Sequence, residues 1–460
     1  MVTFPQLGRA RALAVLFLFV SFLVLNLCAL PERAMGQPKQ DQALRVWKVQ
    51  LWDKAKQMGI SRSTFDAALK NTVPNYKLPR VRTHASWKRL AVQDKRIAKA
   101  KPLADGKLPA SCYRPRQKEF LFPTRYFPKD YLERLVVKGK TLRAKYRTVF
   151  AKIERQFGVD MRAVLGIWGR ETAYGQAKNK QDGIRTWLSL AYAGTPGKRD
   201  VYEQNLLYAL QFIDQGHIAL AKYKTTFAGA TGYPQFTPDV FALYAVDFDG
   251  DGRKDIWNSV PDALASAANY LKGIGWQAGQ GWGYEVVVPQ GFNCADEGPN
   301  GRKSVAEWKK LGVRRVKGPS GKALPFPDLA QEVQLVAPAG MLGPKFLVTE
   351  NFEVFRRYNK ADLYALFVGH LGDRIWCRGG AQRCGFKAGW PQKDTFNFSR
   401  KRICEMQIYL KRSGASQETP DGLFGGKTRN GIGSYERLVG KRPTCFPSKD
   451  LLGHLRRTQR

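Results

Sequence analysis

The chain has 460 residues, 43% of them apolar and 12% aromatic, enough to bury real cores and too many for a single one. This composition excludes global disorder and collagen-like repeats. Lys and Arg number 76 against 38 Asp and Glu, a formal charge of +38, which implies a polyanionic partner or surface: nucleic acid, anionic lipid or the cell envelope.

In chain order, Arg9 and Arg11 come first, then the uncharged apolar run 12–30, then Pro31-Glu32-Arg33 and the small-residue stretch Ala34-Met35-Gly36. A basic head, an apolar core and small residues make residues 1–36 an export signal. The run also borders on bilayer-spanning length, so an uncleaved membrane anchor is the alternative. Cys28 follows Leu27, where lipid-attachment signals need a small residue, so it is read as a passenger. Six cysteines lie beyond the signal, and an even count in an exported chain favours disulfides. Cys377–Cys384 and Cys404–Cys445 are the pairings to try first, although sequence leaves the connectivity open. No CxxC pair is present, which argues against a zinc ribbon or thioredoxin-like site.

Helical apolar spacing covers 42–70 through Leu44, Val46, Trp47, Leu51, Ala55 and Met58. The basic stretch 77–116 has weak periodicity and is expected to be an extended or inserted loop. Helices are then expected over 131–157, 161–175, 202–223, 239–245 and 262–275. A Gly/Pro-rich section, 276–348, holds β-type runs at 284–289 and 332–336, and 351–373 is helical again. Residues 379–397 have the composition of a linker. The remainder, 398–460, is a short helical module. The chain is therefore expected to be mainly α with a minor β element.

The segment 164–175 carries the chemistry. Its body is apolar, Gly175 can take the left-handed conformation that ends a helix, and Glu171 sits one turn earlier among Ile167, Trp168 and Tyr174. Poor solvation and a helix C-terminus both disfavour a charged carboxylate, so a raised pKa is expected there. A carboxyl group kept protonated near neutrality is what a general acid for glycosidic cleavage needs. The bland reading is a helix-end Glu paired with Arg170 or another base.

Downstream, Asp247, Asp249 and Asp251 alternate through a turn at Gly252, followed by Arg253. This fits the first half of an EF-hand, with side-chain oxygens at positions one, three and five and the Arg253 carbonyl at seven. Position twelve is Asn258 rather than Glu. The alternative is a solvated turn neutralised by Arg253 and Lys254.

Ile167-Trp-Gly-Arg-Glu-Thr-Ala-Tyr-Gly175 resembles the catalytic motif of lytic murein transglycosylases of the membrane-bound B type. Three further matches follow in the family's order: Phe227–Pro238; Tyr244–Gly252 with Trp257 and 262–270; and Asn351–Asn359 with Asp362–Ala365. The similarity spans about residues 42 to 375. It implies a lysozyme-like helical catalytic domain in which the single Glu171 performs both proton transfers. As acid it would protonate the glycosidic oxygen between N-acetylmuramic acid and N-acetylglucosamine in peptidoglycan. As base it would then deprotonate the C6 hydroxyl that closes a 1,6-anhydro ring. No cofactor is required for that chemistry, and no second carboxylate, because the substrate supplies the nucleophile.

The resemblance also implies substrate contacts at Gln235, Tyr358, Tyr364 and, more weakly, Tyr270. It implies a structural Ca2+ in the acidic loop, closed by Asp262. The chain departs from the family at Thr231 and Thr237, where Met is usual, and at Pro234, which stiffens the loop bearing Gln235. Asp421, Gly422, Gly425 and Thr428 match the Asp-Gly-x-x-Gly-x-x-Thr run of small peptidoglycan-binding modules, which implies a three-helix wall-binding domain.

The expected organisation is a signal or anchor at 1–36, a catalytic domain at 37–378, a linker at 379–397 and a peptidoglycan-binding domain at 398–460. Glycan strands are the expected partner, in the periplasm or cell envelope, with membrane attachment through the N-terminal segment as an option and no nucleic acid. A hydrolytic muramidase and a non-catalytic wall-binding protein are the alternatives. The intact motif around Glu171 speaks against the second.

Overall fold

The computed structural model describes residues 37–99, 108–109, 112, 123–318, 320–391 and 398–459. The expected signal or anchor lies outside the described residues. Among the described residues, no helix is long and apolar enough to cross a membrane.

Residues 37–72 form one unit, and the described residues from Val73 onward form another. The first is a helix pair, α1 (Gln37–Gln57) and α2 (Arg62–Leu69), where one continuous helical stretch was expected. The break comes at Gly59, which is left-handed (φ 76°). Ser61 then caps α2 by accepting from the Thr64 amide. Trp52 meets Phe65 edge-on at 5.1 Å, with Arg62 over the indole.

The second unit opens with α3 (His84–Lys99), which corrects the expectation of an extended loop over 77–116. Its anchor is Trp87, whose indole N–H donates to the Ala193 carbonyl at 3.1 Å. An anchor of this kind, at one indole, leaves little periodic trace in a basic sequence. Next come α4 (Lys129–Lys145), α5 (Arg147–Phe157) and α6 (Met161–Thr172), the last of which holds the start of the 167–175 motif. After them come α7 (Gly183–Ala193), α8 (Arg199–Asp214), α9 (Pro238–Tyr244) and α10 (Val260–Gly273). Helix α7 lay outside the expected elements; it is buried on most of its circumference, so it has no polar face to give it a period. The expected helix over 351–373 is two, α11 (Glu350–Tyr358) and α12 (Asp362–Trp376), separated by extended backbone at Asn359 and Ala361.

Two small sheets accompany the helices. Strands β1 (Gln181–Asp182) and β2 (Lys224–Thr225) pair alone. The larger sheet contains β3 (Gly283–Val287), β4 (Lys303–Ser304), β5 (Arg314–Arg315), β6 (Glu332–Val336) and β7 (Lys345–Val348), in the order β4-β6-β7-β3-β5. The named pairings are antiparallel, with Leu347 opposite both Tyr284 and Leu335. The expected β runs are β3 and β6. Strand β7 completes the sheet.

The main core is built around α6 and α12, which run antiparallel with their backbones in contact. A Cβ on Gly166 would lie 2.4 Å from the Val368 carbonyl oxygen, and one on Gly372 would lie 2.4 Å from that of Arg162. Only glycine permits this approach. On α12, His370 is buried against Phe386, ring centroids 3.8 Å apart. Phe386 and Trp390, in the stretch of linker composition, thus pack on the core, and Cys377–Cys384 closes the start of that stretch as expected.

The C-terminal residues form three helices, α13 (Arg400–Arg412), α14 (Gly426–Leu438) and α15 (Lys449–Thr458), around their own core of Ile403, Met406, Leu410, Ile432, Tyr435 and Leu455. The other two disulfides correct the expected Cys404–Cys445 pairing. Cys404 bonds Cys112, and Cys445 bonds Cys294, across 292 and 151 residues of sequence. Each joins the helical module to a distant segment, a choice that tertiary packing makes and sequence proximity does not.

Burial, and secondarily the Arg374 charge, push the His370 imidazole down to about 3. The unfolded chain therefore takes up a proton near pH 6.5 that the folded chain refuses until about pH 3. Stability should fall through that window as pH is lowered, by up to about 5 kcal/mol from this group. Denaturant titrations at pH 7 and pH 4 should show a smaller difference for His370→Gln than for the wild type.

Candidate active site and acidic loop

Helix α6 begins at an Asp160 cap, where the carboxylate accepts from the Arg162 amide, and is buried without a break from Ala163 to Gly169. The left-handed exit starts at Ala173 (φ 48°) and continues through Tyr174 (φ 60°) and Gly175 (φ 81°), two residues earlier than Gly175 alone would imply. Two non-glycine residues in this region store strain of about 1–3 kcal/mol each. The exit is over-determined by its neighbours. Tyr174 donates to the Leu135 carbonyl at 3.1 Å, and Thr172 donates to the Tyr233 carbonyl at 3.3 Å while accepting from the Gly175 amide.

The strained turn leaves Glu171 half-buried at the mouth of the helix pair. The Tyr364 phenol, 1% exposed on the first turn of α12, donates to Glu171 Oε1 at 2.6 Å. Burial first, then the charge of Glu171, push that phenol well above its ordinary value, so it stays a donor. Tyr358 stacks on Tyr364 at 6.3 Å and is likewise pushed up, by burial and then by Glu171. Tyr270 is 5.2 Å from Tyr358, and Tyr244 is 5.0 Å from Tyr270. A row of phenols therefore leads away from the carboxylate.

Arg170, next to Glu171 in sequence, feels its charge, while its guanidinium lies over the Tyr126 and Phe367 rings and donates to the Tyr126 hydroxyl at 3.0 Å.

Gln235 joins this row through its neighbour. The Tyr358 hydroxyl donates to the Pro234 carbonyl, and Gln235, left-handed at φ 55°, donates from Nε2 to the Gly232 carbonyl at 2.7 Å. The residues at the departures are structural in their bonding. Buried Thr231 donates to the Lys224 carbonyl and accepts from the Trp257 indole, both at 2.7 Å, and Thr237 bonds Asp239. The structure thus brings Glu171, Tyr364, Tyr358 and Tyr270 into one line of contacts, with Gln235 held on the adjoining loop. Tyr244, beside Tyr270, and Tyr233, whose ring lies 5.5 Å from Trp168, adjoin these residues and were not singled out in the sequence. Both stand inside the matching motifs, and only their partners in space mark them out.

In the acidic loop, carboxylate oxygens of Asp247, Asp249, Asp251 and Asp262 lie within 4.8 Å of one another. Asp262 is fully buried and accepts three backbone amides, from Phe248, Asp249 and Asp255, at 2.8–3.1 Å. Burial pushes its carboxyl up, and those amides oppose the shift. Asp247 accepts from the Gly250 and Gly252 amides, both at 2.8 Å, which closes the turn. Arg253 lays its guanidinium on Asp251 at 3.2 Å. Four carboxylates against one paired cation form an all-oxygen donor set that fits Ca2+.

In the C-terminal module, Gln407 is the residue that the sequence did not single out. Its Nε2 shares two hydrogens among Asp421 Oδ1, the Leu423 carbonyl and Thr428 Oγ1, all 2.9–3.1 Å away, and its Oε1 accepts from the Asp421 and Gly422 amides at 2.9 and 2.7 Å. Asp421 and Thr428 therefore shape the loop through Gln407.

Comparison with known proteins places this geometry. The transglycosylase SLT domain model matches residues 43–373. Membrane-bound lytic murein transglycosylase B of Escherichia coli K12 is 28% identical over 284 residues, 62% of this chain and 75% of that protein. The crystal structure of SltB3 from Pseudomonas aeruginosa in complex with NAG-anhNAM-pentapeptide is 31% identical, covering 90% of this chain and 99% of that one at a TM-score of 0.71. The Escherichia coli lytic transglycosylase Slt35 in complex with calcium is 22% identical, covering 71% and 92%, at a TM-score of 0.50. The chain belongs to the transglycosylase SLT family, among lytic transglycosylases of the B type.

Replacing Gln407 with Leu would strand the Asp421 and Gly422 amides. This should lower the stability of the C-terminal module by about 2–4 kcal/mol, read as loss of amide protection in α13 and α14 by hydrogen exchange.

Proposed function

We propose that this chain is an exported lytic transglycosylase. It cleaves the β-1,4 bond between N-acetylmuramic acid and N-acetylglucosamine in peptidoglycan and leaves 1,6-anhydromuramoyl ends. The observation that carries the reading is the Tyr364–Glu171 hydrogen bond at 2.6 Å, at the end of a buried helix in a chain of this family. Glu171 protonates the leaving oxygen, then takes the proton of the muramoyl C6 hydroxyl as that oxygen attacks C1. Tyr364 fixes the rotation of the carboxylate so that one group serves both steps. Gln235, Tyr358 and Tyr270 line the sugar side. The anhydro sugar in the complex of the Pseudomonas relative is the ring form such a reaction makes.

Digestion of purified peptidoglycan, with mass spectrometry of the muropeptides, tests this directly. Anhydro-muropeptides are expected from the wild type and none from Glu171→Gln. Tyr364→Phe should lower kcat about 10- to 100-fold with a smaller change in KM. Reducing-end products would instead make the enzyme a muramidase, and retained wall binding without products would make it a binding protein.

Asp247, Asp249, Asp251 and Asp262, with the Arg253 carbonyl, hold a structural Ca2+ that ties the loop to α10; the ion takes no part in the chemistry. Calcium in the Slt35 crystal and the convergence of four carboxylates here support this. Calcium should raise Tm by several degrees, EGTA should reverse the rise, and Asp247→Asn should abolish it. An unchanged Tm would dismiss the ion.

The catalytic body at 37–378 is joined to a wall-binding module at 398–460, and residues 1–36 direct export to the periplasm or hold the enzyme at the membrane. The charge of +38 suits an envelope rich in anionic lipid and acidic stem peptides.

A further inference from the structure

Arg429 lies in the first turn of α14 in the C-terminal module, yet its guanidinium is 2% exposed and lies among acids of the catalytic body. It forms a fork on Glu297, with Nε 2.9 Å from Oε2 and Nη2 on Oε1, and Nη2 also donates to Asp362 Oδ2 at 2.7 Å. Asp362 is the first residue of α12, and its other oxygen lies 3.2 Å from Nε of Arg356 in the last turn of α11. Arg356 in turn donates to Glu353 at 3.0 Å. One chain of charges, buried at Arg429 and Glu297 and half-buried from Asp362 onward, therefore runs from the module to the corner between α11 and α12.

That corner carries the site. Tyr358 is two residues beyond Arg356, and Tyr364 is two residues beyond Asp362. The two rings stack, and the second holds Glu171. Ala361, the N-cap of α12, offers no side-chain cap, so Asp362 and its partners secure the helix start. Burial opposes the charge on Asp362, and Arg429 and Arg356 outweigh it, holding its carboxyl below the ordinary value.

We propose that Arg429 is a positioning residue for catalysis: by binding Asp362 and Glu297 together, the C-terminal module sets the α11–α12 corner and, through Tyr364, the aim of Glu171. This rests on the assignment of Glu171 as the acid and extends it. The module is then part of the catalytic geometry as well as a means of holding the polymer. Cys294–Cys445, three residues from Glu297, keeps Arg429 in register with its acids.

The test uses the full disulfide-bonded chain, with a soluble, uncrosslinked GlcNAc–MurNAc tetrasaccharide and intact sacculi as separate substrates. The double variant Arg429→Met/Glu297→Gln removes both charges of the buried pair, so no bare charge is left at Glu297. Asp362→Asn, which changes one atom, is the second variant and decides the matter if the first does not unfold cooperatively. On the tetrasaccharide, kcat should fall about tenfold or more while KM changes less than twofold. The pH profile of kcat should move as Tyr364 loosens from Glu171, and Arg429→Lys should recover part of the rate. Sacculus pull-down should match that of the wild type.

A wild-type kcat and pH profile on the tetrasaccharide, with turnover lost only on sacculi, would reduce Arg429 to a tether and overturn the proposal. Absence of any product from the wild type would overturn the assignment of Glu171 as well, so the two failures are distinguishable.

Discussion

The close crossing of α6 and α12 is the constraint on which the rest depends. Gly166 against the Val368 carbonyl and Gly372 against the Arg162 carbonyl bring two backbones into contact. At that separation, residues near the open end of the crossing have no lateral freedom. Glu171 and Tyr364 meet there at 2.6 Å because the helices carrying them cannot slide or tilt without collision. A side chain in place of either glycine would push the helices apart and open the Glu171–Tyr364 pair.

Around this crossing the structure builds outward by fastening loops. The strained Ala173–Gly175 turn is held by Tyr174 on Leu135 and Thr172 on Tyr233, and the loop bearing Gln235 is held by Tyr358 on Pro234 and Trp257 on Thr231. Three of these fastenings join a residue of one motif to a residue of another, and the fourth ties the first motif to α4, which explains physically how four separate segments are drawn together. The acidic loop behaves similarly: buried Asp262 on α10 gathers the amides of Phe248, Asp249 and Asp255 before any cation is considered.

The C-terminal module is bonded into the same unit. Two disulfides and the buried Arg429 fork hold α13–α15 to distant segments, and Phe386 and Trp390 fill the core beside His370. A buried ion pair of this kind contributes little net stability compared with apolar packing, and breaking one partner is costly. Its value here lies in fixing one orientation, since the Arg429 fork accepts its two acids in a single geometry. Among the described residues, Arg374 and Arg429 are buried against acids, whereas most of the positive charge faces solvent.

The sequence by itself determined the mainly helical class, the β runs at 284–289 and 332–336, and the placement of Glu171 near the end of an apolar helix, because periodicity and glycine position are local properties of the chain. The order of four motifs made the family legible, and the alternating Asp247, Asp249 and Asp251 made a cation loop legible. Tertiary structure alone decided that Cys404 pairs with Cys112, that α3 occupies an expected loop, that Gln407 organises the C-terminal turn, and that Arg429 reaches Asp362. Each of these depends on a partner more than ten residues away. Such contacts are set by which surfaces can be buried together, and no pattern along the chain encodes that.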